Sequence, residues 1–516
     1  MQNFTRKYPF ILFFITAAVT GCLYIITAST RLTWANYAND SGDFIAAILT
    51  SGIPHPTGYP TYMLLAGLFQ KLPFGTPYFR AILLSSIPAA LSAGIMAVLF
   101  QKFFTKPQNK FAAFFALFTG VVWGLSPFLW TQATIVEVHG LQSLFILLAT
   151  WWVLELSEVP PSSSFWKLTL LALFFGFGLG NHITLVLFLP AIFIASYAAF
   201  RKGTSAGRLY LQIVFLLLGA LVYVIIPIRA SQIPPINWGN ASNWEGFWWL
   251  ISGQAYQNLL LDISFIKILS RISAFAALLR QQFGLVGIIL AIVGIVQFTF
   301  QSKITRAVFI YIFIVFAIFS ILYGTDDSIT YLLSSFAVFS IWIGLSFPII
   351  QSWTWRKFPL GLAVLVLAGI LFLISIPKTF RNVDVSSKTA PADFAETLLP
   401  QLPANAILAT AADPDSFPLW YYHFGLGWRE DLTIFTLPLT QFRWYQETLI
   451  HTYPAIKFPA PIELFRNGNQ NWGEQVTRIN PDRPYCTSQI LRGESAHIKI
   501  SCSSGESFNF LIDLNK

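Results

Sequence analysis

The sequence predicts a polytopic α-helical membrane protein of about eleven spans, followed by a small soluble α/β domain. Two observations carry this: charge is scarce, and apolar runs recur down the first three quarters of the chain. Of 516 residues, 55% are hydrophobic and only 11% are charged, with 50 Phe and 17 Trp. Soluble domains are roughly a quarter charged, so such a chain cannot cover a surface that faces only water. The apolar runs fall at 8–30, 80–101, 111–130, 140–154, 166–180, 182–200, 209–228, 283–300, 307–323, 331–350 and 359–377. Each approaches or reaches the roughly 20 residues that cross the hydrocarbon core as helix. Runs 140–154 and 166–180 are short. Stretch 165–200 reads as two helices joined at Gly180-Asn181, because Lys167 opens the first and Arg201-Lys202 closes the second.

The net charge of +9 is explained by topology rather than by a nucleic-acid partner. Arg6 and Lys7 precede the first run. Alternate connections then carry Lys102, Lys106 and Lys110; Arg201, Lys202 and Arg208; Lys303 and Arg306; and Arg356 and Lys357. That is the positive-inside pattern with a cytoplasmic N-terminus in the plasma membrane, and it leaves the tail outside. One connection departs from it, with Glu155 and Glu158 against Lys167. Val19-Thr20-Gly21-Cys22 resembles a lipoprotein cleavage site, but the apolar run continues through Leu23–Ala28, so 8–30 reads as an uncleaved span. Cys486 and Cys502 both lie in the tail, where one disulfide and two free buried thiols both remain open.

The predicted organisation is a membrane part over 1–377 and an extracytoplasmic α/β domain over 378–516. Two outer excursions interrupt the membrane part, at 31–79 and 229–282. Within the first, 42–51 has helical spacing suited to an interfacial helix, and 61–71 forms another short apolar helix. The second carries Trp238, Trp244, Trp248 and Trp249, a density typical of the headgroup level. The tail reads as helix 391–400, strand 405–411, helix 414–424, strand 432–437, helix 440–451 and a strand-rich end at 486–513.

Placed on this topology, the polar residues of the membrane part collect on the outer face. Asp40, Asp43 and His55 follow span 1, and Glu137 and His139 lie between spans 3 and 4. Asn181 and His182 lie between spans 5 and 6, Arg229 ends span 7, and Asp326 and Asp327 sit between spans 9 and 10. All three histidines of the membrane part are on that side. An ionisable cluster at the mouth of a helical bundle is a candidate site. Each member also has an ordinary reading. Asp40 suits a helix N-cap, Glu137 a helix start, Arg229 an interfacial anchor, His182 a partner for broken helix backbone, and Asp326-Asp327 a solvated turn. No zinc pattern, Walker loop or nucleophile elbow is present, and no metal or cofactor is expected.

Asp40-Ser41-Gly42-Asp43-Phe44 followed by His55-Pro56-Thr57-Gly58-Tyr59-Pro60-Thr61-Tyr62 resembles the first outer loop of a known family. These are the membrane protein O-mannosyltransferases that modify plexin-type IPT domains, and their bacterial relatives, in which that loop reads D-x-G-E and then H-P-P-G-Y-P-L-Y. Glu137-Val138-His139 resembles an E-V-Y motif and Gly180-Asn181-His182 a G-N-H motif. Pro227-Ile228-Arg229 with Pro235-Ile236-Asn237-Trp238-Gly239 resembles P-x-R…P-x-N-W-G, and Asp326/Asp327 with Tyr331 a D…Y element. Asp43 stands in place of Glu, Thr57 of Pro and His139 of Tyr.

The resemblance covers residues 1 to about 345 and implies an inverting glycosyltransferase of the GT-C class. Such an enzyme moves a mannose-like sugar from a polyprenyl-phosphate donor to a hydroxyl acceptor, Ser or Thr of an exported protein or a glycan. It implies Asp40 as the base, with Asp43 second. Charge type and topology, more than the family, put Arg229 and His182 on the phosphate side. A transporter or flippase for a lipid-linked precursor is the competing class. It calls for ionisable residues in mid-membrane or paired half-helices in repeats, and neither is evident. Reporter fusions after residues 205 and 355 should read cytoplasmic, and one after residue 385 external. A cytoplasmic reading at 385 would overturn the assigned orientation.

Overall fold

A computed structural model describes residues 8–106, 108–158, 165–260, 264–461, 472–491 and 496–512. Arg6 and Lys7 lie outside the described residues. Each predicted run appears as helix: α1 (Tyr8–Thr27), then, after two short helices α2 (Ser41–Leu49) and α3 (Pro60–Phe69), α4 (Pro77–Phe104). The bent pair α5 (Ala112–Gly124) and α6 (Pro127–Ala133) follows, with α7 (Val138–Glu158), α8 (Phe165–Leu179), α9 (Leu189–Arg201), α10 (Ala206–Ala220) and α11 (Ile225–Ala230). The bundle closes with α12 (Trp244–Ile251), α13 (Phe265–Phe298), α14 (Lys303–Leu322), α15 (Leu333–Gln351) and α16 (Leu360–Val383).

Among the described residues nine helical stretches are long and apolar enough to cross a membrane, or ten if the pair bent by 63° at α5–α6 is one span. The remaining expected run, 166–180, is α8, which is helical but has only 15 residues. Stretch 165–200 is indeed two helices, parted at Gly180–His182. The chain breaks the bundle into helices with local chemistry. Thr76 caps α4 by accepting from Phe79 N–H at 3.1 Å, with Pro77 at the first helical position. Ser302 caps α14 by accepting from Thr305 N–H at 3.1 Å. Small residues let helices touch backbone to backbone: a Cβ on Gly294 of α13 would lie 1.7 Å from the Trp342 carbonyl oxygen of α15.

Two expectations are corrected. The span expected at 283–300 belongs to α13, which begins eighteen residues earlier at Phe265 and is broken at Gly284, where φ is +66°. Only glycine takes that conformation freely. Arg271 on the first half of α13 donates to the Thr325 carbonyl at 2.7 Å and to the Ser328 hydroxyl, so this half roofs the 324–332 loop. Nor does the helix expected at 42–51 lie along the interface. Ser41–Ile48 of α2 are all buried, between the bundle and the tail domain.

The two ends of the bundle differ in charge. At one end Lys102 and Lys167 both pair with the buried Glu155, which explains the connection that departs from the basic pattern. Lys202 donates to the Ser157 carbonyl, Ser302 and Thr305 donate to Glu158, and Asn109 donates to Gln351 at 3.1 Å. All the basic connections therefore share one end. At the other end the outer excursions are tied to each other: Ile53 N–H donates to Ile236 O at 2.8 Å, Trp238 N–H to Ile53 O at 3.2 Å, and Thr61 N–H to Gly180 O at 3.0 Å.

The tail domain sits on that second end. Its sheet runs β2 (Thr433–Thr436), β1 (Ile407–Thr410), β3 (Tyr485–Leu491), β4 (Ala496–Cys502), β5 (Ser507–Ile512), with β1 parallel to both β2 and β3 and the rest antiparallel. Helices α17 (Ala390–Gln401), α18 (Asp413–Trp420), α19 (Arg443–Thr452) and α20 (Trp472–Ile479) accompany it. Cys486 and Cys502 are directly opposite on β3 and β4 and form a disulfide. Arg31, just past α1, bridges Asp393 at 2.8 Å and Glu396 at 2.6 Å of α17, and Val385 N–H donates to Thr27 O at 3.0 Å. The closest seam is Gly42 on α2, where a Cβ would meet the Phe417 carbonyl oxygen of α18 at 2.4 Å. Backbone cannot yield there as a side chain can, so Gly42→Ala should cost about 1–3 kcal/mol. Limited proteolysis should then release the tail faster than from wild type; equal rates would mean that the seam opens without cost.

Candidate active site at the tail-facing end of the bundle

Asp40 enters α2 at its N-cap position but makes no side-chain cap hydrogen bond, so the capping reading is not realised. The approach to it is constrained. Asn36 and Tyr37 take φ of +61° and +67°, unusual for residues with a Cβ. Asn36 is held by donating to Val383 O at 3.1 Å and by accepting from Gln132 Nε2 at 3.2 Å. Such strain persists only where the surroundings over-determine it.

One helical turn on, Asp43 is completely buried. Its Oδ2 accepts from His55 N–H at 2.9 Å and from His55 Nδ1–H at 2.7 Å, and its Oδ1 accepts from Trp238 Nε1–H at 3.1 Å. With these three donors and no accessible surface, Asp43 orients its neighbours and cannot reach a substrate. Of the two aspartates expected as bases, Asp43 is the one sealed inside the protein.

His55 turns its other nitrogen toward Asp40 Oδ2, at 3.6 Å, and toward the Tyr59 hydroxyl, at 3.3 Å. The Tyr59 hydroxyl donates to Pro56 O at 3.1 Å, which leaves it to accept from His55. Both ring nitrogens then carry protons. Burial alone would push this imidazole down, but Asp40, Asp43 and Glu137 together outweigh burial and hold it at about 9. His55 is thus a cation clamped between two carboxylates.

Asp40 keeps 38% of its side-chain surface accessible, yet desolvation dominates its titration. That combination belongs to a group facing a recess rather than open solvent. Desolvation raises its carboxyl, His55 opposes the rise, and Asp327 and Asp43 add to it. Glu137 is buried, accepts from Val138 N–H at 3.3 Å, and is raised well above the carboxylate range by burial and then by Asp40. The two carboxyls compete for ionisation, and the more exposed Asp40 is the one better able to hold the charge.

The remaining candidates divide. His182 stands 5.5 Å from His139, 5.9 Å from Tyr59 and 5.7 Å from Tyr331 by ring centroids. Its Nδ1 accepts from Thr184 N–H at 3.3 Å, so the ring is neutral with its proton on Nε2. His182 is thus a neutral ring whose Nε2–H is a hydrogen-bond donor. Asn181 donates to Val138 O and Gln142 Oε1, and Asn237 to Ala230 O, so both are braces of the loops. Asp327 is exposed and lies near enough to raise both Asp40 and Glu137. The Asp326 side chain is not among those described. Arg229 is half-buried, and among the described residues no hydrogen bond or ion pair joins it to the cluster. No group of three or more metal-ligating side chains is found among the described residues.

Sequence reasoning missed the contribution of the tail. Asp413, at the start of α18, belongs to the helix whose Phe417 abuts Gly42, and its carboxyl is raised to about 7 by burial and then by Asp40, with Asp43 adding and His55 opposing. Trp420 and Trp444 pack at 6.5 and 5.7 Å from Trp238. Nothing in the sequence links a tail residue to a membrane loop, and only the Asp-Pro-Asp helix start marks the place.

Comparison with known proteins follows this geometry. The model described as the Protein O-mannosyl-transferase TMEM260 N-terminal domain matches residues 40–205, and that of TMEM260-associated domain 2 matches residues 391–475. The chain is 22% identical over 478 residues to "Protein O-mannosyl-transferase tmem260" of Dictyostelium discoideum and 23% identical over 452 residues to its Mus musculus counterpart. Each alignment takes in 82% of this chain, but only 57% and 63% of those relatives' own lengths. Among solved structures, ArnT from Cupriavidus metallidurans bound to undecaprenyl phosphate matches with a TM-score of 0.54 and 11% identity, over 90% of this chain and 97% of that one. The archaeal oligosaccharyltransferase AglB from Archaeoglobus fulgidus, in complex with an inhibitory peptide and a dolichol-phosphate, gives 0.53 and 10%, over 94% and 70%. At these identities the likeness is one of fold, and the fold is GT-C-like, as the loop motifs implied.

The clamp on His55 makes a stability prediction with a definite sign. A pKa raised from 6.5 to about 9 on folding contributes stability that is full below pH 6.5 and is lost as pH rises through about 9. The shift corresponds to about 3 kcal/mol. Unfolding of the detergent-solubilised protein should therefore become easier between those limits, and Asp43→Asn should flatten the slope. A wild type equally stable across that window would rule out an imidazolium at His55.

Proposed function

We propose that the protein is an inverting membrane glycosyltransferase that moves a mannose-like sugar from a polyprenyl-phosphate donor to a Ser or Thr hydroxyl of an exported polypeptide. The observation that carries this is Asp40: an accessible carboxylate in a constrained recess, its charge sustained by His55⁺, which Asp43 holds in place. The loop motifs and the relatives described as protein O-mannosyl-transferases support the reaction class. Fold neighbours holding undecaprenyl phosphate or dolichol-phosphate support a lipid-borne donor.

In this reading the acceptor hydroxyl attacks the anomeric carbon while Asp40 takes its proton. The new bond joins the acceptor oxygen to that carbon, the bond to the phosphate oxygen breaks, and the lipid phosphate leaves with the electron pair. His55⁺ keeps Asp40 ionised before attack. The neutral His182 supplies a donor through Nε2–H, and Arg229, engaged by no hydrogen bond or ion pair among the described residues, is a cation available for the phosphate at the same end. The basic connections at the opposite end orient the recess outward, with the N-terminus cytoplasmic. Outside the cell there is no nucleotide-sugar pool, which fits a donor carried by lipid.

Proton removal from a weak nucleophile contributes a hundredfold or more. Asp40→Asn keeps the shape, disturbs no cap and cannot take the proton. With a polyprenyl-phosphate mannose donor it should stay folded, with a shallower pH dependence of stability because His55 loses one of its carboxylates, and be slowed by at least about a hundredfold. Turnover within about threefold of wild type would remove Asp40 as base.

A further inference from the structure

The tail domain does more than rest on the membrane part. Helix α18 lays one face on α2 and the second excursion, and that face is a stripe of Asp413, Phe417 and Trp420, spaced four and three apart. Phe417 is the residue whose backbone abuts Gly42, two positions beyond Asp40. Trp420 is buried against Trp238, the side chain that donates to Asp43. Continuing the same face toward the N-terminus of α18 brings Asp413 over the Asp40–His55–Asp43 group.

Two carboxylates start this helix, and they have different duties. Asp415 is buried and accepts from Ala411 N–H and Ala412 N–H, each at 2.8 Å, and from the Ser488 hydroxyl. It is the cap that fixes the helix start to the sheet. Asp413 keeps accessible surface although its surroundings desolvate it, and among the described residues no hydrogen bond or ion pair engages its carboxyl. The groups around it are Asp40, Asp43 and His55 from the first excursion, Asp415 from its own helix, and Tyr256 from the second. Only one of these is a cation, and His55 is already held by the two bundle carboxylates. The open side of the recess therefore presents a carboxyl with no protein partner among the described residues, which a cation would draw into its charged form.

We infer that Asp413 binds the acceptor, and that the acceptor is a polypeptide segment carrying a basic residue beside the hydroxyl to be modified. This rests on the glycosyltransferase reading and deepens it. The donor's lipid must enter from the bundle side, so the face closed by α18 is left for the acceptor. The two segments that match the family's domain models, 40–205 and 391–475, are the two that meet at this point. A basic side chain on the acceptor would pair with Asp413 and place the neighbouring hydroxyl against Asp40, whereas an acidic one would meet like charge.

The test uses the full-length protein in detergent with polyprenyl-phosphate mannose and three synthetic peptides, with lysine, alanine or glutamate beside a single threonine. Wild type should favour the lysine peptide over the glutamate peptide by about tenfold or more in kcat/KM, chiefly through KM. Asp413→Asn should bring that ratio to within about twofold, while Asp413→Glu largely restores it. Asp415→Asn, which weakens the helix start, should lower stability and leave the ratio as in wild type. A wild-type ratio below about twofold would overturn the inference, as would an undiminished ratio in Asp413→Asn. Asp40-dependent consumption of donor with no transfer to any of the peptides would overturn the polypeptide acceptor together with the role of Asp413. No Asp40-dependent consumption at all would instead overturn the glycosyltransferase reading itself.

Discussion

The buried Asp43 carboxylate is the joint on which this end of the molecule depends. Three donors converge on it, two from His55 and one from Trp238, which lies 195 residues away in the chain. A buried charge survives only when paired and hydrogen-bonded. Any rearrangement that pulled the two outer excursions apart would strand that charge, so their register is fixed by electrostatics as much as by packing. The Ile53–Ile236 and Trp238–Ile53 backbone bonds complete the same seam. Phe44, at 4.9 Å from His55 and 5.2 Å from Tyr59, fills the space behind it.

What the joint leaves over is an asymmetry between two aspartates one helical turn apart. Both lie on the first excursion, and both belong to the motif that resembles the mannosyltransferase loop. Asp43 spends its acceptors inside the protein, while Asp40 keeps accessible surface and a single cationic neighbour at 3.6 Å. A carboxylate that is desolvated but not hydrogen-bonded to the backbone is a better base than one in water, because the environment resists its charge. The histidine supplies just enough opposing charge to keep it ionised. In the proposed mechanism the duties are thus divided: one residue holds the geometry, one the charge, and one stays free to react.

The legibility of this arrangement in the sequence followed its physics. Apolar length and Lys/Arg placement are local properties, so the helical runs and the separation of basic from acidic ends could be read directly. The tail's alternation of helix and strand was equally local, down to the strands at 407–410 and 433–436. The failures were of contact. The spacing in 42–51 suited an interfacial helix, but hydropathy cannot tell lipid from a covering domain, and α18 takes the place of lipid there. Residues 265–282 carry Lys267, Arg271 and Arg280 and read as excursion, whereas Arg271 finds the Thr325 carbonyl and lets the helix begin early. The structure brings Asp40, Asp43, His55, Glu137 and His182 to one end, yet residue type alone could not say that Asp43 is sealed or that His182 is neutral. Those properties are set by Trp238 and Thr184.

The most distant of these contacts changes how the two parts of the chain relate. The Arg31 bridges to Asp393 and Glu396 have partly exposed partners, and such pairs contribute little to stability. The energetic weight of docking must then lie in the burial of α2 against α18, where Phe417 and Trp420 sink into the bundle. An apolar seam of this kind has no tolerance for a half-docked state, because lifting α18 would expose the whole of α2 to water. Asp413 is carried on that rigid seam rather than on a loop, so its carboxyl is positioned by the same contacts that close the recess. The tail is therefore part of the recess's architecture, and in the proposed reading any account of acceptor choice has to begin from the helix it contributes.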